Sequence, residues 1–218
     1  MYRLPRILSK AVPWVTWRGP SREEIYLTFD DGPEPHVTPL ILALLDAYGC
    51  RATFFVTGQR AAAYPELVRR VVHAGHGLGS HSFDHARLSR RSRQVIRQDL
   101  SRTDQAVAAA VGWVPRCFRP PYGSLSPALV KAAQACDKRL VLWSISTGDY
   151  RPDADPVRMA RWLFRHLRGG DIVLLHDGLP HATRTAHALE LLLPQLPTLG
   201  LRASALPMAL PPRLEPAP

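Results

Sequence analysis

The residues best suited to chemistry begin at Thr28-Phe29-Asp30-Asp31-Gly32-Pro33, where two adjacent carboxylates sit on a tight turn ending an apolar run. Two like charges held together raise one pKa unless a cation lies between them, and a metal ion is the simplest supplier. His81 and His85, in His81-Ser82-Phe83-Asp84-His85, are spaced i and i+4, which predicts both imidazoles on one side of a helical turn, able to share an ion. One aspartate completes three ligands. Two histidines and a carboxylate leave coordination positions open, and an open position on Zn2+ lowers the pKa of water to roughly 7 from about 15.7. That chemistry belongs to a hydrolase. An isolated H-x-x-x-H is more often a pair of surface or capping histidines, and the preceding Asp-Asp turn is what favours the metal reading.

Three further segments follow in order, each after its own apolar run. In Arg119-Pro120-Pro121-Tyr122-Gly123 the prolines exclude regular helix and the glycine permits a sharp turn, so the guanidinium is presented rigidly toward a carboxylate. Ser146-Thr147-Gly148-Asp149-Tyr150 supplies another acid after Leu140 to Trp143, and Leu174-Leu175-His176-Asp177-Gly178 another histidine after Ile172-Val173. Singly each is weak; together, in this order, they are strong.

On these motifs the chain resembles the polysaccharide deacetylase family, the family 4 carbohydrate esterases that include chitooligosaccharide and peptidoglycan N-acetylglucosamine deacetylases, over about residues 25 to 206. The resemblance implies that Asp30 is the catalytic base, that Asp31, His81 and His85 bind a divalent ion, and that Arg119 orients the base. It also implies that Tyr122 lends its backbone amide to the oxyanion site, that His176 is the general acid, that Leu174 lines the acetyl pocket, and that Asp149 joins the buried charge network. Two positions depart from the family pattern Asp-x-x-Asp-Trp: Ser146 replaces its first Asp and Tyr150 its Trp, altering the aromatic wall that faces the sugar. Ala86 stands where a proline often follows the second metal histidine, a neutral change.

The expected mechanism has the ion polarise an acetamide carbonyl and activate water, Asp30 take the proton, and the oxyanion rest on the ion and a backbone amide. An amine leaves poorly as an anion, so a separate acid is needed, and the unperturbed pKa range of an imidazole suits His176 to that task. Zn2+ fits the donor types, with Co2+ or Ni2+ similar in geometry. Competing readings are an O-acetyl polysaccharide esterase, a saccharide-binding pseudoenzyme, and a non-haem iron oxygenase, which shares two histidines and a carboxylate but has no need of a second Asp, a clamping Arg and a distant His.

The chain has 218 residues, enough for one substantial core, and an apolar content of 46%. Its formal net charge of +10 is almost entirely arginine, since the lysines are Lys10, Lys131 and Lys138. The densest group is Arg87, Arg90, Arg91, Arg93, Arg97 and Arg102, either a docking surface for an anionic polymer or a solvated face of biased composition. Nucleic acid is not expected as a partner, because only charge speaks for it. Cys50, Cys117 and Cys136 are an odd set without close pairing, which argues against a disulfide framework and for a reducing compartment.

Residues 1–24 read as a basic N-terminal segment without a small-residue cleavage pattern, a poor secretory signal that suggests a cytoplasmic location; Trp14 and Trp17 would lie at a membrane surface or under the barrel. No stretch approaches the roughly 20 apolar residues of a membrane helix. Residues 207–218 read as an extended or disordered Pro-rich tail. Between them, strands are expected at Ile25 to Phe29, Ala52 to Val56, just before His81, Cys117-Phe118, Leu140 to Trp143, Ile172 to Leu175 and Leu201 to Ala205. Helices are expected at Thr38 to Ala47, Pro65 to His73, Ser92 to Val111, Pro127 to Cys136, Pro156 to Leu167 and Ala182 to Leu193. Strands alternating with helices imply a parallel sheet, and chemistry at successive strand ends implies an α/β barrel of one domain. The resemblance adds that the barrel is distorted and has seven strands.

Overall fold

Glu24-Ile25-Tyr26-Leu27-Thr28-Phe29-Asp30 is apolar on both faces, the pattern of a strand covered on each side, and from Ile25 to Asp30 every residue is buried. It forms the middle of the sheet in the structure, a computed structural model that describes residues 1–4 and 14–212. The strands are β1 (Tyr2–Arg3), β2 (Val15–Thr16), β3 (Glu24–Asp30), β4 (Thr53–Val56), β5 (Gly77–Ser80), β6 (Cys117–Phe118), β7 (Arg139–Val141), β8 (Ile145–Ser146), β9 (Ile172–His176) and β10 (Arg202–Ala203). Among the described residues the α-helices are α1 (Val37–Ala47), α2 (Gly58–Ala63), α3 (Pro65–His73), α4 (Arg93–Val111), α5 (Pro127–Ala135), α6 (Pro156–His166) and α7 (Thr183–Leu192).

Strands β8-β9-β3-β4-β5-β6-β7 run parallel and in that order, the seven staves of a distorted (β/α)7 barrel. The barrel has a seam: β7 pairs with β2, β8 pairs antiparallel with β1, and no ladder joins β7 to β8 directly among the described residues. At the other end of β3, β10 pairs with Glu24 and Ile25.

Local chemistry fixes the helix starts. Glu34 accepts the exposed N–H groups of His36 and Val37 at 2.8 and 2.7 Å ahead of α1. Ser92, Ser126 and Asp155 cap α4, α5 and α6 with their side chains, and proline opens α3, α5 and α6, where a missing N–H costs nothing. The amphipathic stripes then dock on the sheet: Ile96, Leu100, Thr103, Val107 and Ala110 are the buried positions of α4.

Four details add to or depart from expectation. The strand expected at Leu140 to Trp143 ends early: β7 stops at Val141 and β8 begins at Ile145, because the carbonyls of Val141 and Leu142 turn toward the Arg119 guanidinium. Gly58–Ala63 is helical, although six residues carry too little periodicity to announce it. The N-terminal segment builds into the sheet through β1 and β2, with Trp17 packed against the core and Trp14 54% exposed. Pro207–Ala209 is a 3-10 turn with Ala209 buried, so the tail is packed at its start; residues 213–218 lie outside the described set. No described helix is long and apolar enough to cross a membrane.

Candidate active site

The Asp30-Asp31 turn leaves the carboxyl end of β3, and β9 lies beside it in register, placing His176 level with Asp30. Asp31 takes a positive φ of 73°, which splits the two carboxylates in direction. The turn is packed tightly from below: a Cβ on Gly32 would come within 2.3 Å of the Asp177 carboxyl, so only glycine fits. Backbone N–H groups of Asp177 and Gly178 donate to the Asp30 carbonyl at 3.1 and 3.4 Å, tying the two strand ends together.

Asp30 is 2% exposed and one of its oxygens is clamped: Arg119 Nη1 donates to Oδ1 at 2.6 Å. Arg119 is fully buried, a position that demands every donor be used. It also donates to Thr28 Oγ1 at 2.7 Å and to the Val141 and Leu142 carbonyls at 3.3 and 3.1 Å, and it lies 4.1 Å over the Phe55 ring. Burial pulls the Arg119 pKa below its ordinary value, against which the Asp30 charge and hydrogen bond act. Asp30 Oδ2 turns the other way, 3.8 Å from His81 Nε2.

Asp31, His81 and His85 converge as expected, with one donor atom from each lying within 4.8 Å of the others. The route differs from the expected helical turn. Residues 81–85 form a loop in which Ser82 and His85 have φ of 62° and 60°, and it is this loop that brings the two rings to 5.1 Å. His81 Nδ1 lies 2.7 Å from the Arg119 carbonyl, which accepts its proton and leaves Nε2 with a lone pair facing the site.

A divalent ion fits these residues. Asp31 Oδ1 is buried and accepts no hydrogen bond, although the Nε2 atoms of His81 and His85 stand 3.4 and 3.2 Å away. A buried, unsatisfied carboxylate oxygen facing two ring nitrogens is what a shared cation would resolve. Burial works against the Asp31 carboxylate, but His81, His176 and His85 hold its pKa down to about 2, and burial lowers that of His85.

Across the cavity, Asp149 acquires the partner that its sequence left open: its Oδ1 lies 3.0 Å from His176 Nδ1, and its Oδ2 accepts from the His176 backbone N–H at 2.7 Å and from Thr185 Oγ1 at 3.0 Å. Burial alone would lower the His176 pKa; the Asp149 charge and hydrogen bond, helped by Asp30 and Asp31, outweigh it and raise the value to about 9. The imidazole is therefore far from the unperturbed range on which its assignment from sequence rested.

One cavity of about 370 Å3 collects these groups: Asp30, Asp31, His81, His85, Tyr122, Tyr150, Leu174 and His176 all line it. Arg119 and Asp149 stand behind it as supports. Tyr122 has φ of 61° in the turn after Arg119, with its ring 4.6 Å from that of His85. Tyr150 meets His176 edge-on at 5.9 Å. Leu179 and three polar or aromatic participants escaped the sequence reading. Tyr2 and Trp143 line the same cavity, and Asp177 lies buried under the turn, its Oδ2 accepting from Thr38 Oγ1 at 2.6 Å and its pKa pushed up by burial to about 7. The first two carried no local signal; Asp177 adjoins His176 and was readable only as part of that motif.

The basic residues expected as one region are all exposed, and Arg87 reaches the rim of this cavity through Tyr122. Arg87 lies 4.3 Å over the Tyr122 ring and Arg102 lies 3.9 Å over Phe83, while Arg93, Arg97 and Lys131 line an open groove between α4 and α5.

Comparison with known proteins places this arrangement. A profile described as polysaccharide deacetylase matches residues 18–141. A peptidoglycan-N-acetylglucosamine deacetylase of Bacillus cereus is 38% identical over 194 residues, covering 87% of this chain and 89% of the relative. A chitooligosaccharide deacetylase of Bradyrhizobium sp. is 36% identical over 196 residues, covering 84% and 89%. The crystal structure of a peptidoglycan N-acetylglucosamine deacetylase in complex with 4-naphthalen-1-yl-N-oxidanyl-benzamide superposes with a TM-score of 0.86 at 29% identity, covering 93% of this chain and 95% of that one. With the barrel, the profile and the relatives in agreement, the chain belongs to the polysaccharide deacetylase family.

Proposed function

We propose that this enzyme removes acetyl groups from N-acetylglucosamine residues of a glycan, peptidoglycan or chitooligosaccharide, with Asp31, His81 and His85 holding Zn2+. The observation that carries this reading is the division of labour around one cavity: an arginine-clamped aspartate beside the converging Asp31, His81 and His85, whose Asp31 Oδ1 is buried without a hydrogen bond, and an aspartate-backed histidine facing them. A divalent ion held by the triad supplies Lewis-acid polarisation and an acidified water.

The remaining work falls to the chain. Arg119 holds Asp30 Oδ1, so that Oδ2 is aimed into the cavity to accept the proton of the attacking water. The Tyr122 backbone N–H, on a turn fixed by its positive φ, donates to the developing oxyanion. His176 delivers a proton to the departing amine, and Asp149 keeps it charged and oriented for that step. Leu174 supplies apolar wall for the acetyl methyl and Tyr150 holds the face of His176.

Acetate release from chitooligosaccharides, peptidoglycan and acetylated xylan, with and without a chelator, tests activity, metal and substrate together. We expect release from the N-acetylglucosamine substrates, its loss on chelation and its return with Zn2+. Binding without release would instead support the saccharide-binding reading, and release from xylan alone an O-acetyl esterase. The Arg87–Arg102 surface adds a component that salt can reveal: acidic peptidoglycan should lose more affinity at high ionic strength than neutral oligomers.

The pH profile follows from His176. As the acid, it must carry its proton, and a pKa raised to about 9 keeps it charged through neutrality, so turnover should fall on the alkaline side near that value. A bound dication would offset the share due to Asp30 and Asp31 and bring the fall somewhat earlier. Asp149→Asn removes the main upward influence, so the alkaline limb should shift down toward about 6.5. Rate measurements from pH 5 to about 10 check this; an unmoved limb would remove His176 from the acid role.

A further inference from the structure

Strand β1 is two residues long, too short to hold itself by ladder bonds alone. Asp171, 0% exposed at the foot of β9, anchors it. Its Oδ2 accepts from Arg3 Nη1 at 2.6 Å and from the Arg168 backbone N–H at 2.8 Å, while its Oδ1 accepts from Arg18 Nη1 at 2.6 Å and Ser144 Oγ at 2.7 Å. Arg3 also donates to the His166 carbonyl at 2.7 Å, and the Leu4 N–H to the Ser144 carbonyl at 2.8 Å. These ties fix the register Tyr2↔Ser146, and that register puts the Tyr2 side chain into the wall of the catalytic cavity.

There Tyr2 does not stand alone. Trp143 Nε1 donates to the Tyr2 hydroxyl at 2.8 Å, and the Trp143 ring covers Gly123 so closely that a Cβ there would come within 2.7 Å. Tyr2, Trp143 and the Tyr122-Gly123 turn are thus one continuous wall. Burial raises the Tyr2 phenol pKa, and because the oxygen accepts from the indole its own proton remains to be donated. Tyr2 is still 40% exposed, so its ring offers a flat apolar face with a polar tip to whatever enters.

Given the deacetylase reading, on which this rests, we propose that Tyr2 is a substrate-contacting, specificity-determining residue, its ring stacking on a pyranose of the glycan and its hydroxyl donating to the sugar. The N-terminal strand is then part of the active site, setting Tyr2 in one aromatic wall with Tyr122, Trp143 and Tyr150.

The test compares wild type with Tyr2→Ala and Tyr2→Phe on the N-acetylglucosamine tetramer. Tyr2→Ala should raise KM by about 10-fold with a smaller effect on kcat, and Tyr2→Phe, keeping the ring but not the donor, by about 2- to 4-fold. Zn2+ binding by calorimetry, unchanged from wild type, shows that the site has folded. Should Ala weaken the fold, Tyr2→Leu, which refills the volume without the flat polar-tipped ring, must show the same KM rise. A KM within about twofold of wild type in the folded variant overturns the proposal; a lowered KM does too, since the ring would then be a plug. A wild type that releases no acetate would count against the deacetylase reading instead, and tetramer binding to wild type and variant would still decide the role of Tyr2.

Discussion

Asp30→Asn should lower kcat by about 10²- to 10⁴-fold, the range lost when a positioned general base is removed. The substitution is nearly isosteric, and the asparagine carbonyl can still accept from Arg119 Nη1, so the turn and the cavity should persist. Zn2+ binding should survive as well, because the proposed ligand oxygen belongs to Asp31, which lies 3.4 and 3.2 Å from the two imidazoles, while Asp30 Oδ2 stands 3.8 Å from His81 alone. Acetate release measured beside a calorimetric Zn2+ titration separates the two functions. Wild-type turnover in this variant would disprove the assignment of Asp30 as base, and lost metal binding would make it a ligand.

Arg119→Met should cost about 3–5 kcal/mol of stability, since it leaves the Asp30 carboxylate, 2% exposed, without its directly paired guanidinium. Four hydrogen bonds go with it: to Asp30, Thr28 and the carbonyls of Val141 and Leu142. Methionine fills the space over Phe55 but donates nothing. Chemical denaturation in the presence of a chelator measures the loss without the contribution of bound metal. The double variant Asp30→Asn/Arg119→Met should be less destabilised than the sum of the singles, because its aspartate charge is gone; additive effects would mean that the ion pair is not what Arg119 contributes. Activity should fall in the single variant too, as the base loses the hydrogen bond that aims it.

What could be read from sequence was whatever shares a short segment with a distinctive residue. The Asp30-Asp31 turn, the pair His81 and His85, Arg119 before two prolines, Asp149 and His176 all met in one cavity or directly behind it. The helices with proline or serine starts fell within a residue or two of expectation, because capping chemistry is local. Less local features were lost. The pairing of His81 with His85 rests on positive φ angles that no spacing rule conveys. The gap between β7 and β8 depends on an arginine from a different segment drawing off two carbonyls. Tyr2 could not be found at all, since its partners are the distant Trp143 and Ser146, and a two-residue strand has no period to detect.

The seam in the barrel has a consequence for how the molecule is made. Arg3 and its buried acceptor Asp171 are separated by 168 positions, so the strand that carries Tyr2 depends on a pairing between segments far apart along the chain. Closing so long a loop costs little more free energy than closing one half its length, yet it slows folding, because distant pairing must be found before it rewards the chain. The wall that carries Tyr2 should therefore order after the local helix and turn contacts have formed.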